Sequence, residues 1–143
     1  MPKSFKTLYR VSWVDTDAAQ IVHFSNFFRF AERAEEEFYK HLGFIDWFGL
    51  KDVIMPRVEA FCQFKKPARF NDLLEIELTV EELREKAVKY GFKIYNKEKA
   101  ELLANGYLVA VAVNRHTLKA TQIPKDVAEK LKAYCNSGEE KEK

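Results

Sequence analysis

Little in this chain bends or staples the backbone. Five glycines and four prolines among 143 residues rule out a collagen-like or low-complexity chain. The two cysteines, Cys62 and Cys135, form neither a C-x-x-C pair nor a zinc-ligand spacing. A disulfide scaffold is therefore not expected, and a reducing compartment is. Charge of one sign is also scarce: 24 basic residues face 22 acidic ones. Such a balance argues against nucleic acid or an anionic membrane surface as a partner. No apolar run reaches membrane-spanning length. The N-terminal MPKSFKTLYR has none of the apolar core of a secretory signal. Together these predict a cytoplasmic chain without membrane insertion.

Apolar residues at 47% and charged residues at 32% describe a soluble globular chain of one domain, expected over 1–135, with a polar, frayed tail at 136–143. Twelve phenylalanines are many. They predict either an aromatic core or an aromatic-lined cavity or interface.

Periodicity sets the element order. Tyr9, Val11 and Trp13 alternate with Arg10 and Ser12, predicting a strand over 6–14. Phe27, Ala31, Ala34, Phe38 and Leu42 recur at helical spacing, predicting a helix over 26–42. Ser25 or Asn26 would cap it and Gly43 end it. Glu35, Glu36 and Lys40 read as its wet side. An apolar connection follows over 44–56. Val58, Ala60, Cys62 and Phe64 alternate with charged and polar neighbours, giving a strand over 57–66. Leu74 to Val80 and Val88 to Ile94 alternate in turn, predicting two strands over 73–97 that break near Arg84–Lys86. A last strand over 101–115 is apolar on both faces toward its end, which predicts a covered, central position. Pro124 opens a short terminal helix. One long helix against a run of antiparallel strands is an α+β domain.

The segment DTDAAQIVHFSN, residues 15–26, has no clean period. Two aspartates and a histidine stand among apolar positions just before the long helix. Asp17 taken alone reads as a turn carboxylate. His23 reads as a packed histidine or as a group titrating near neutrality. Ser25 lacks a G-x-S-x-G elbow and an evident base, so it reads as a cap. His41 and His116 show no ligand spacing with His23, and no metal site is expected.

The run Val11-Ser12-Trp13-Val14-Asp15-Thr16-Asp17-Ala18-Ala19, then Ile21-Val22, then Asn26-Phe27-Phe28-Arg29-Phe30 with Glu32, resembles the 4-hydroxybenzoyl-CoA thioesterase family. Lys66-Pro67-Ala68-Arg69 with Asp72, and Asn105-Gly106-Tyr107 through Ile123-Pro124, resemble its later strands. The resemblance covers nearly the whole chain. It implies a hot-dog fold, and an acyl-CoA thioesterase that needs no cofactor beyond the coenzyme A of its substrate. It implies Asp17 as nucleophile or general base. Asp15 stays a structural acceptor for loop amides. A helix start offers unpaired N–H donors and a positive dipole end, which suits an oxyanion. Phe24, Ser25 and Asn26 are the candidate donors.

His23 is a further candidate at the site, and Glu32 the fallback base. By the same resemblance, Arg84 and Lys86 meet the coenzyme A phosphates; Lys65, Lys66 and Arg69 are rivals. A homo-oligomer is implied, dimer or tetramer, with sites between protomers. Two positions depart from the family pattern. Gln20 stands where glycine is frequent, and Phe24 where tyrosine or histidine is. Two alternatives remain: a hot-dog hydratase or dehydratase pairing His23 with a carboxylate, and a non-catalytic acyl-CoA-binding module. The acyl group is left open.

Overall fold

The computed structural model describes residues 3–44 and 52–135. The predicted tail at 136–143, and residues 45–51 of the apolar connection, lie outside the described residues. The order is β1 (Phe5–Arg10), α1 (Asn26–His41), β2 (Val53–Ile54), β3 (Arg57–Phe64), β4 (Leu73–Leu83), β5 (Ala87–Asn96), β6 (Glu101–Val111), β7 (Val113–Asn114) and α2 (Lys125–Lys132). Five strands form one antiparallel sheet in the order β1-β4-β5-β6-β3, and β2 pairs with β7 apart from it.

Alternation decides which face of the sheet is covered. Leu74, Ile76, Leu78 and Val80 on β4, with Val88, Tyr90, Phe92 and Ile94 on β5, are all buried. Opposite them α1 turns in Phe27, Phe30, Ala31, Ala34 and Phe38, a helical stripe that closes one core with the sheet. Val127 and Leu131 of α2 complete it. A Schellman motif ends α1: Gly43 takes φ +100°, its N–H donates to the Lys40 carbonyl, and the Phe44 N–H reaches back to Tyr39. Among the described residues, no helix is long and apolar enough to cross a membrane.

Four expectations need correction. β1 stops at Arg10, not at 14, because Ser12 opens a short 3-10 turn over Trp13–Asp15. Ser25 sits at the helix start, but its side chain makes no capping bond. Glu35 is not on the wet side of α1: it is one of its buried residues. The predicted strand over 101–115 is divided: β6 is interior in the sheet and ends at Val111, and Val113–Asn114 is β7, paired with β2. The Arg84–Lys86 break is the β4–β5 turn, closed by the Arg84 N–H donating to the Ala87 carbonyl. β3 lies at the sheet edge and is exposed along nearly its whole length, with Val58, Phe61 and Phe64 among its open apolar side chains.

Candidate active site

The segment between β1 and α1 is folded around Asp15. Its Oδ2 accepts from the Ser12 N–H at 2.8 Å and from the Tyr9 hydroxyl at 2.7 Å. Its carbonyl accepts from the His23 N–H at 2.9 Å and from Asn26 Nδ2 at 2.9 Å. One buried residue thus ties β1, the loop and the first turn of α1 together. Burial and then the bond to Asp15 hold the Tyr9 phenol above its ordinary pKa.

A short ladder continues from there. Thr16 bridges Val22, the Asp17 N–H donates to the Ile21 carbonyl, and the Val22 N–H donates to Ala68. The loop is therefore laid against the start of the β3–β4 turn. Gln20 closes the tip with φ +67°, the left-handed region that glycine enters freely. Gln20 thus takes a glycine-like conformation although it is not glycine.

Asp17 is exposed at that tip. Its Oδ1 accepts from the Ala19 N–H at 2.8 Å. Among the described residues no donor meets its Oδ2. Asp15 and Asp17 are the same residue type two positions apart, yet Asp15 is buried with two donors on one oxygen and Asp17 is exposed with one.

The three candidate amides differ as well. The Asn26 N–H donates to the His23 carbonyl at 2.9 Å. The Ser25 N–H lies 3.3 Å from His23 Nδ1. The Phe24 N–H meets no acceptor among the described residues. Asn26 thus serves the loop through its amide and its side chain, and Phe24 carries the open donor. Since a backbone N–H only donates, His23 Nδ1 is an acceptor, and Ser25 Oγ stands 2.8 Å from the same nitrogen. His23 stacks on Phe24 at 4.6 Å between ring centroids. Phe24 and Phe27 meet Phe64 edge-on at 6.1 and 5.5 Å. The helix start and the end of β3 thus share a partly open aromatic wall.

The remaining candidates lie elsewhere. Glu32 lines a groove of about 560 Å³ with Tyr9, Arg29 and Arg33, and neither Asp17 nor His23 is among its lining residues. Arg84 and Lys86 sit in the β4–β5 turn. The Asp17 loop is fixed at the opposite end of β4, where Arg10 pairs with Leu73. Eleven residues of β4 separate the two, roughly 30 Å of strand. One chain does not bring them together, and Arg84 is already paired with Glu82. Lys65 and Arg69 flank Ala68, beside the loop, and are exposed. Lys66 reaches Glu101 at 3.3 Å. His41 packs on Phe5 at the far end of α1, and His116 reaches Asp52 at 3.2 Å.

Asp15 is a structural acceptor of a loop amide, as expected, but its partners Tyr9 and Asn26 left no periodic trace. The ion pair of buried Glu35 with Arg57 did leave one, because Glu35 falls in the apolar stripe between Ala31 and Phe38. Tyr90 also acts on Glu35, and its hydroxyl meets that of Tyr39. Burial raises the Glu35 pKa to about 7, against the opposing pull of Arg57.

Comparison with known proteins agrees with this architecture. An acyl-CoA thioester hydrolase of Escherichia coli O157:H7 is 28% identical over 134 residues, covering 90% of this chain and 96% of that one. A 1,4-dihydroxy-2-naphthoyl-CoA hydrolase of Thermosynechococcus vestitus is 31% identical over 109 residues, covering 74% and 69%. A gentisyl-coenzyme A thioesterase structure superposes with a TM-score of 0.78 at 30% identity, covering 88% and 98%. A 1,4-dihydroxy-2-naphthoyl-CoA thioesterase from Synechocystis shares the fold at a TM-score of 0.84 and 24% identity, covering 90% and 96%. Residues 11–131 match the sequence profile of the thioesterase-like superfamily. With one long helix against an antiparallel sheet and a match over most of its length, the chain is a hot-dog protein and belongs to the thioesterase-like superfamily.

Proposed function

We propose that the protein is an acyl-CoA thioesterase whose reaction is centred on Asp17 and the Phe24 amide. The observation that carries this reading is the pairing of a carboxylate oxygen and a helix-start N–H that the loop leaves unused, on segments the Asp15 hub fastens together. Asp17 takes a proton from water as the water oxygen attacks the thioester carbon. The Phe24 N–H receives the oxyanion. The C–S bond then breaks, and the thiolate leaves and is protonated to free coenzyme A. In the other route Asp17 Oδ2 attacks directly, and water hydrolyses the resulting anhydride.

We further read the enzyme as a homo-oligomer in the cytoplasm. An edge strand of eight residues with open apolar side chains needs a partner, and a second β3 edge supplies one. Such pairing completes the aromatic wall at Phe64. Arg84 and Lys86 reach a coenzyme A phosphate only from a neighbouring copy, whereas Lys65 and Arg69 are available within the same chain. A dimer of dimers would supply both sets.

The test is thiol release from short-chain, long-chain and aromatic acyl-CoA esters by wild type and Asp17→Asn. Turnover should fall roughly 100-fold or more in the variant. Undiminished turnover would move the base to Glu32 or His23. No release from any ester, with tight binding of a non-hydrolysable analogue, would make the protein a binding module. Single turnover in heavy-oxygen water separates the two routes, since label entering Asp17 requires the anhydride.

A further inference from the structure

Glu35 and Arg57 take no part in the hydrolysis described above, yet their geometry is specific. β3 and β6 stay in register except at one place. Arg57 pairs with Ala110 and Glu59 with Val109, so Val58 is an extra residue in a β-bulge. Ala110 is fully buried on the helix side of the sheet. The bulge therefore turns Arg57 inward, while Glu59 and Phe61 face out, beside Tyr107. Without the extra residue Arg57 would share the outward face of Glu59. The inward guanidinium ends on Glu35, whose side chain is only 6% exposed.

The groups acting on Glu35 come from three elements. Glu32 and Tyr39 stand on its own helix, Tyr90 on β5 and Arg57 on β3. β4 turns only Leu74, Ile76, Leu78 and Val80 toward α1. β1 brings Tyr9 to that side, where its hydroxyl is held by Asp15. Arg57 is thus the positive charge facing a buried carboxylate that titrates near neutrality, and it is carried by the exposed edge strand. Its other hydrogen bond runs to the neighbouring Met55 carbonyl at 3.3 Å.

We propose that the Glu35–Arg57 pair is a proton-operated clamp on the β3 edge. When Glu35 is charged, the pair holds the bulged start of β3 against α1 in the shape that a second copy's edge strand pairs with. When Glu35 is protonated, Arg57 loses its anion and the start of the strand is released. The inference rests on the self-association reading given above. By linkage, association then takes up no proton but releases one, and Glu35 becomes more acidic in the dimer.

The dissociation constant of the full chain, measured by sedimentation from pH 6 to 8, tests this. It should fall as pH rises, with a ceiling of about tenfold per pH unit for one linked proton. Glu35→Gln should flatten the profile, as should Glu35→Met/Arg57→Met, which removes both charges together and avoids an unpaired buried one. A pH step that persists in these variants would overturn the proposal and assign the linkage to a histidine. Stable dimers with no pH step in wild type would overturn it too. A chain that is monomeric at every pH would refute self-association itself. The clamp alone would then be judged by amide exchange at the start of β3. Protection that rises with pH in wild type but not in Glu35→Gln would retain it, and equal protection would end it.

Discussion

Charging Glu35 should weaken the fold, and the sign follows from burial. The carboxyl is carried from an ordinary value of 4.5 to about 7 in the folded chain. Between those values the folded state holds the proton and the unfolded state does not. Stability is therefore greatest below pH 4.5, as far as this group is concerned. It falls as pH rises through about 7, and is flat above. A rise of about 2.5 in pKa corresponds to about 3 kcal/mol at 1.36 kcal/mol per unit. Glu35→Gln keeps the shape and the hydrogen-bonding capacity but cannot charge. The difference in unfolding free energy between wild type and Glu35→Gln should thus shift by about 3 kcal/mol from pH 4.5 to 8, in favour of the variant at high pH. Urea unfolding at fixed protein concentration measures it, and taking the difference cancels other titrating groups. A difference independent of pH would refute the reasoning. So would a variant several kcal/mol weaker at pH 8, because that would mean the loss left to an unpaired Arg57 outweighs the relief from no longer burying the Glu35 charge.

Four further outcomes are expected. Asp15→Ala removes the acceptor of the Ser12 N–H and the Tyr9 hydroxyl. It should lose about 1–3 kcal/mol in denaturant unfolding and lower kcat as the helix start loosens. Phe24→Ala keeps the backbone N–H to which the proposed mechanism assigns the oxyanion, so thiol-release kinetics should show a change in KM with kcat held within a few-fold. Gln20→Gly relieves a left-handed conformation and should raise thermal stability by about 1 kcal/mol, read as an increase in Tm. Gly106→Ala would drive a Cβ into the Phe61 carbonyl, separating β3 from β6; soluble yield or Tm should fall by the equivalent of 2 kcal/mol or more, about the range for overpacking.

Periodicity carried most of the fold. The alternation of Leu74 to Val80 and of Val88 to Ile94 survives intact as the covered face of the sheet, because hydrophobic burial acts on every second residue of a strand. It failed where a single polar contact overrides it. Val11 and Trp13 continue the alternation of β1, yet the Asp15 carboxylate captures the Ser12 N–H and turns the chain there. Glu35 lies in the apolar stripe of α1, but a charge reads as solvent-facing until its counter-ion is found. That counter-ion is 22 residues away and is delivered by a bulge that no local pattern announces. Nor does alternation in β3 say that its neighbour on one side is missing, since pairing partners are a property of the assembled sheet.

The two aspartates of the loop show what the site adds to such a reading. Residue type, spacing and neighbours scarcely separate Asp15 from Asp17, and only the resemblance chose between them. The hydrogen bonds separate them physically. Asp15 meets two donors through its Oδ2 and two more through its backbone carbonyl, and it is buried, so it serves the loop's structure. Asp17 uses one oxygen to hold its own turn and keeps the other open. The same contrast recurs among the helix-start amides: Asn26 is consumed in holding the loop, and Phe24 is not. On the function proposed above, the open oxygen of Asp17 and the open N–H of Phe24 are the acceptor and donor that a thioester carbonyl would need.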